Sequence, residues 1–262
     1  MTSPAPLLAV EDLVAGYGER PVLDGVSFVL ERGEILVVLG ASGSGKSTLL
    51  RCIVGLLAPQ RGRVLVSGQD MSAAAGAERE AILRSVGMAF QSAALLNSLT
   101  VAENVALPIE EHWRLDRPTA RMLARLHLSR VGLAGAADVL PSALSGGMRK
   151  RAGLARALAL DPSLLLFDEP SAGLDPITAR GLDDLILGLK ARGSLGIVVV
   201  THELGSIHAI ADRAIMLSGG RVLAAGTLDE VRAHPAREVQ AFFSRETLAR
   251  TGSASVLDVL ER

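Results

Sequence analysis

Aromatic side chains make up only 3% of the 262 residues, and the chain has a single cysteine, one tryptophan and one tyrosine. A core of this size must therefore be built from leucine, valine, isoleucine and alanine, which dominate the 49% hydrophobic content. The lone Cys52 excludes an internal disulfide, and packing within a helix is its expected role. Charge of either sign is not in excess: 27 basic and 28 acidic residues leave a net charge of −1. Nucleic-acid binding calls for a basic stripe, so no nucleic-acid partner is expected. Long apolar runs are also missing. A bilayer span needs roughly 20 apolar residues, whereas stretches such as Ile197–Val200 are of strand length. The opening Met1-Thr2-Ser3-Pro4-Ala5-Pro6 has no basic region leading into an apolar one, so no signal peptide is expected.

The patterning predicts an α/β chain. Leu7–Leu13 and Val22–Leu30 read as strands either side of Gly16-Tyr17-Gly18, and Ile35–Leu39 is a continuous apolar run suited to a buried parallel strand. Thr48–Leu57 has helical spacing and is expected to end before Pro59. Val64–Val66 and Val86–Phe90 are predicted strands around a charged helix near Ala77–Arg84. From Gln91 to Lys150 strand signals give way to helices over Val101–Leu107 and Thr119–Val131, the latter primed by Asp116 and Pro118. Strand Leu164–Phe167, a helix from Pro176 capped by Asp175, and strand Ile197–Val200 follow. Ala214–Leu217 and Val222–Ala225 make a hairpin through Gly219-Gly220, and Thr227-Leu228-Asp229-Glu230 is a capping box. No internal repeat is found. The expected organisation is a core over residues 1–225 with a helical subdomain inserted at 92–150, then a helical C-terminal extension over 226–262 whose end carries Val256, Leu257, Val259 and Leu260.

Three motifs carry chemistry. In Gly40-Ala41-Ser42-Gly43-Ser44-Gly45-Lys46-Ser47 the glycines let backbone N–H groups turn towards a β-phosphate, at the positive end of the helix that follows. Lys46 suits the β- and γ-phosphates and the Ser47 hydroxyl suits Mg²⁺. Leu164-Leu165-Leu166-Phe167 ends in Asp168 and Glu169, which places two carboxylates at the carboxyl edge of a sheet. Leu144-Ser145-Gly146-Gly147-Met148 opens a helix expected to run through Ala159, with small residues that admit a phosphate close to its start.

In this order the motifs resemble the ATP-binding-cassette (ABC) family, over essentially Leu7 to Ala225. The resemblance implies a P-loop NTPase (RecA-like) ABC nucleotide-binding domain with an antiparallel β subdomain and an inserted α-helical subdomain. It implies ATP and Mg²⁺ as ligands, with ATP closed between the phosphate loop of one subunit and Ser145, Gly146 and Gly147 of another. Asp168 would hold Mg²⁺ together with Ser47 and Gln91, and Glu169 would act as general base. Gln91 would reach the metal or the attacking water, and His202 matches the family's switch histidine. Tyr17 would stack on adenine, a core position being the competing reading for the one tyrosine. Ser42 and Thr48 complete the phosphate-loop set, and Asp175 ends the D-loop begun by Pro170-Ser171-Ala172-Gly173-Leu174.

The chain departs from most of the family at Met148, where Gln is usual. With Phe90-Gln91-Ser92-Ala93-Ala94-Leu95, Leu107-Pro108-Ile109-Glu110-Glu111-His112 and the stretch Val231–Phe243, this is similar to the ATPases of maintenance-of-lipid-asymmetry and mammalian-cell-entry lipid transporters. The implied partners are a second copy in a homodimer, integral-membrane permease subunits, a periplasmic lipid-binding protein of the mammalian-cell-entry type and a small regulatory subunit. The implied place is the cytoplasmic face of a bacterial inner membrane. Amino-acid import and lipoprotein export are the rival transport roles. A soluble ABC protein acting on ribosomes or DNA is disfavoured by the single phosphate loop and the short insertion. Glu110, Glu111 and His112 read as a solvated helix end, not a metal site. An apolar patch at Ala93, Ala94, Leu95 and Leu96 is the expected seat of a permease.

Overall fold

The computed structural model describes residues 5–113, 115–191 and 193–244. Strand β1 (Leu8–Tyr17) pairs antiparallel with β2 (Arg20–Leu30) and with β4 (Arg61–Val66), and β4 pairs with the short β5 (Gln69–Asp70). Together they form a four-stranded sheet in the order β2-β1-β4-β5. A second, six-stranded sheet runs β10-β9-β3-β8-β7-β6, with β3 (Ile35–Leu39), β6 (Val86–Ala89), β7 (Leu164–Asp168), β8 (Gly196–Val200) and β9 (Arg213–Ser218) parallel. Only β10 (Arg221–Thr227) is antiparallel, closing the hairpin with β9.

The continuous apolar runs are explained by two cores. Successive side chains of a strand point to opposite faces, and both faces of this sheet are covered. Ile35, Val37, Leu39, Leu165, Phe167, Ile197 and Val199 face one buried cluster, while Leu36, Val38, Leu164, Leu166, Val198 and Val200 face the other. The first is completed by helices α3 (Val101–Trp113), α4 (Arg117–Arg130), α5 (Gly146–Ala157) and α6 (Pro176–Lys190). The second is completed by the antiparallel sheet and α1 (Lys46–Ile53), with Ile82 from α2 (Gly76–Arg84).

Several helix ends differ from expectation: α5 ends at Ala157 and not Ala159, and α4 starts at Arg117 and not Thr119. Helix α1 stops at Ile53 and not near Leu57, because Gly55 takes φ 67 just beyond the terminal bond from Val54 N–H to Leu50 O. Helix α3 continues past Leu107 through Pro108, which cannot donate to the Asn104 carbonyl. Burial overrides that lost bond: Val101, Ala102, Val105, Ala106 and Ile109 form one fully covered stripe. Expected caps are present. Asp116 caps α4 by accepting from Thr119 N–H at 2.8 Å, and Thr227 with Glu230 forms the capping box of α8 (Leu228–Ala233). Cys52 is buried in α1, where burial pushes its thiol up to about 11.

Val231, Val239 and Phe243 join the first cluster, so the described part of the C-terminal segment packs on the core. Val256, Leu257, Val259 and Leu260 lie outside the described residues. Among the described residues no helix is long and apolar enough to cross a membrane.

Candidate functional site

The carboxyl ends of β3, β8, β7 and β6 lie along one edge, and each delivers a motif. In register, Val38 pairs with Val200 and Val200 with Asp168, so the phosphate loop after β3, His202 after β8 and the Asp168-Glu169 pair at the end of β7 emerge side by side. Gln91 follows the edge strand β6 and is exposed. Thr201 N–H reaches back to Val38 O at 3.4 Å, tying the His202 loop to the strand that feeds the phosphate loop.

The loop around Lys46 has the geometry of an anion cradle. Gly40 and Gly45 take φ 148 and 106, and a Cβ on Gly40 would lie 2.5 Å from Leu217 O and on Gly45 2.6 Å from Leu23 Cδ2. Gly45 starts α1 with no side-chain cap, so the first N–H groups of the helix remain for a ligand. Lys46 Nζ donates to Gly40 O at 2.8 Å and Ala41 O at 3.0 Å. Burial holds its pKa below the ordinary value, while the nearby charges of Glu169 and Asp168 pull it up. Burial, then Glu169, pushes the Asp168 carboxyl up, opposed by Lys46 and Arg51. Ser44 Oγ and Glu169 Oε2 are buried without a partner among the described residues, which suits a polar ligand against this edge. Among the described residues no group of three or more His, Cys, Asp or Glu could hold a metal ion. A magnesium ion shared with phosphate oxygens needs only one or two carboxylates, and Asp168 with the exposed Ser47 hydroxyl offers that chemistry.

Glu169 has φ 48, the left-handed region, and its N–H donates to Val200 O at 2.8 Å. Its Oε1 lies 2.8 Å from His202 Nδ1. With the proton on Nδ1, the histidine donates to the carboxylate and fixes its rotamer.

The remaining expected site residues fall into two groups. Tyr17 ends β1 and stands 54% exposed, which removes the core reading. Arg51 of α1 donates to its hydroxyl, with the guanidinium 6.0 Å from the ring centroid. Ser42 is exposed and Thr48 buried at the first turn of α1. Ser145, Gly146 and Gly147 are elsewhere: Ser145 caps α5 by accepting from Met148 N–H at 3.3 Å. Helix α5 packs on α3, α4, α6 and β6, whereas α1 packs on β1, β2 and β7. Gly147 lies against α6, where a Cβ would be 2.4 Å from Thr178 Cγ2. Asp175 caps α6 through Ile177 N–H, Thr178 N–H and the Thr178 hydroxyl. The hydrogen bond from Thr178 keeps its carboxyl below the ordinary range.

The apolar patch after Gln91 is corrected in part. Ala93 is buried and Leu95 packs half-buried on the core, leaving Leu96 as the large exposed apolar side chain. The cause is a left-handed turn at Ala93 and Ala94, φ 61 and 48, held by Arg156 donating to both carbonyls at 2.9 and 2.7 Å. Fully buried Asn104 secures the next turn, accepting from Leu96 N–H and donating to Leu96 O, Leu99 O and Thr100 O. Sequence reasoning missed Arg156, Asn104 and Lys150, whose Nζ donates to Glu169 O at 3.0 Å. Arg156 and Lys150 act on backbone far along the chain, and Asn104 secures the turn just before its own helix, where its side chain reads as an ordinary helical amide.

Three comparisons bear on this geometry. The ABC transporter family model matches residues 23–172. The methionine import ATP-binding protein MetN of Caulobacter vibrioides is 43% identical over 92% of this chain and 73% of its own length. The intermembrane phospholipid transport system ATP-binding protein MlaF of Escherichia coli K12 is 40% identical over 92% of this chain and 89% of its own. A solved dimeric ATP-binding cassette in a post-hydrolysis state, bound to ADP and Pi, superposes with TM-score 0.77 at 31% identity, covering 84% of this chain and 98% of that one.

Proposed function

This chain belongs to the ABC transporter family and is an ATPase, and from that premise we propose that it works as a head-to-tail homodimer driving a phospholipid permease at the cytoplasmic face of a bacterial inner membrane. Family members of this kind act as dimers with membrane permeases. Each ATP lies between the phosphate loop of one copy and the Ser145–Gly147 start of α5 in the other. The division of the motifs between two regions of the fold supports this, because α5 starts with Ser145 and Gly146 exposed and away from the phosphate loop of its own copy.

Within one copy, Lys46 and the α1 backbone bind the phosphates and Tyr17 stacks on adenine. Ser47, Asp168 and Gln91 would hold Mg²⁺, which would supply charge neutralisation to the phosphates. Glu169 takes a proton from the attacking water, and His202, hydrogen-bonded through Nδ1 to Oε1, keeps the base in its rotamer. Asp175 fixes the end of the D-loop. Positioning and electrostatics, not covalent chemistry, carry the rate.

Met148 carries the phospholipid reading: the side chain after the two glycines is an apolar one packed on the core, and with the flanking motifs this departure from Gln resembles the lipid-transport ATPases. A periplasmic lipid-binding protein of the mammalian-cell-entry type and a small regulatory subunit belong to that reading. Methionine import is the second reading, favoured by the 43% identity to a methionine importer subunit. The two separate in one experiment: purify the chain with its permease, analyse bound lipid, and assay ATP-dependent methionine uptake in proteoliposomes. Copurified phospholipid that ATP mobilises supports the first; methionine uptake overturns it.

A further inference from the structure

The Glu169 backbone is in a conformation its side chain disfavours, and three elements hold it there. With φ 48 and a Cβ, Glu169 does not rest in the left-handed region unaided. Its N–H is fixed to Val200 O of β8 at 2.8 Å. Its carbonyl accepts from Lys150 Nζ at 3.0 Å, with Ala172 N–H a longer donor at 3.3 Å. Lys150 is half-buried in α5, so its ammonium is costly to keep there without a partner. Burial lowers its pKa, and the Glu169 charge raises it in compensation.

We propose that Lys150 is a positioning residue for ATP hydrolysis, its ammonium holding the Glu169 peptide in the left-handed geometry that aims the base. The inference rests on Glu169 being the base. It also has a consequence for the dimer. Helix α5 begins at Ser145 and Gly147, which meet the nucleotide of the other copy, and Lys150 further along the same helix grips the base that serves its own copy's nucleotide. A shift of the α5 start is therefore transmitted to Glu169 through one rigid element, so each site senses whether the other is engaged.

The test is a mutant cycle on the dimer reconstituted with its permease. K150M removes the donor and keeps helix propensity and length; K150R restores a charged donor. K150M is expected to lower kcat about tenfold or more with the KM for ATP nearly unchanged, as befits a displaced base. K150R should recover most of the rate. In an E169Q background, K150M should cost nothing further, because the two act as a unit. Equilibrium ATP-analogue binding by K150M at the wild-type level shows that the fold is intact. A wild-type kcat in K150M overturns the inference. So does a K150M penalty that persists undiminished in E169Q, which would mean that Lys150 acts on something other than the base. A near-normal rate in E169Q alone would instead bring down the base assignment, and this inference with it.

Discussion

His202 Nδ1 and Glu169 Oε1 are 2.8 Å apart, although the residues come from different strands and 33 positions separate them in the chain. The adjacency of β7 and β8 makes the contact, through the pair Asp168–Val200 at the strand ends. It leaves Glu169 Oε2 buried and without a partner among the described residues, so the carboxylate is half anchored and half free to take a proton. Glu169→Gln should therefore cut ATP turnover by roughly 10²-fold or more, the usual worth of a positioned base. Phosphate binding should survive, and the closed ATP dimer should accumulate on gel filtration. His202→Ala should lose activity in the same direction without that accumulation being required. A Glu169→Gln protein that stays monomeric with ATP, Mg²⁺ and permease would count against the base.

Lys46→Ala should behave differently. It deletes the cation that the carboxylates Asp168 and Glu169 face, and with it the contact proposed for the β- and γ-phosphates. Triphosphate affinity should fall at least about tenfold and hydrolysis should be lost. Fluorescent ATP-analogue titration separates this from Glu169→Gln, which keeps the affinity. Near-normal turnover in Lys46→Ala would sink the phosphate-loop assignment.

Much of this site was legible because its signals are local. The apolar runs Ile35–Leu39 and Leu164–Phe167 are strands because both faces are buried, and the glycines of the phosphate loop sit at backbone angles that other residues resist. Caps at Asp116, Asp175 and Thr227 are read from a side chain and a backbone N–H a few positions away. What stayed hidden is either too short to show a pattern or depends on distance in the chain. Helix α7 (Leu204–Ile210) has no side-chain cap at Glu203 and is too short to show a period. The Ala93–Ala94 turn contains no glycine and exists because Arg156 holds its carbonyls. Lys150 reads as an ordinary helical lysine until the fold sets it against Glu169.

The Gln91 loop rests on the absence of a side chain at Gly153. A Cβ there would lie 3.0 Å from Ala93 Cβ and 3.1 Å from Ala93 Cα and O. Gly153→Ala should push the Ala93–Ala94 turn outward, costing about 1–3 kcal/mol by overpacking and displacing Gln91. Denaturant unfolding should show the loss, and ATPase activity should fall while Lys46-dependent nucleotide binding holds. Unchanged stability and unchanged activity would mean that the turn yields freely, against the hydrogen bonds from Arg156.

Permease docking, if it uses this loop, must use Leu96, which is 47% exposed, and not buried Ala93. Leu96→Glu should leave ATP hydrolysis by the isolated protein near the wild-type level and abolish copurification with the permease, the outcome for an apolar anchor at an interface. Retained copurification would move the docking surface elsewhere. Loss of the folded protein would show that Leu96 packs internally, contrary to its exposure.

Asp183 gives a prediction about stability and pH. It is 4% exposed, its Oδ2 accepts from Ser206 Oγ at 2.9 Å, and its Oδ1 has no partner among the described residues. Ser206 Oγ is in turn 3.3 Å from Ser171 Oγ, so the carboxylate ends a buried chain joining α6, α7 and the D-loop. Burial raises the Asp183 pKa above its ordinary 3.8, outweighing the hydrogen bond from Ser206. The folded state therefore holds this proton to higher pH than the unfolded chain does. Stability from this group falls as pH rises through the window above 3.8 and stays reduced at neutral pH. Asp183→Asn keeps an acceptor for Ser206 without the buried charge, and the adjoining cavity of about 730 Å³, lined by Ser171, Asp183 and Ser206, has room for water on the amide. The variant should melt about 2–4 °C higher at pH 7, the shift about 1 kcal/mol produces in a chain of this size. That advantage should close as the pH is lowered through the raised pKa, which melting curves stepped down from neutral pH would follow. A variant less stable than the wild type at pH 7 would mean that the Asp183 charge has a compensating partner, and the burial argument would fail.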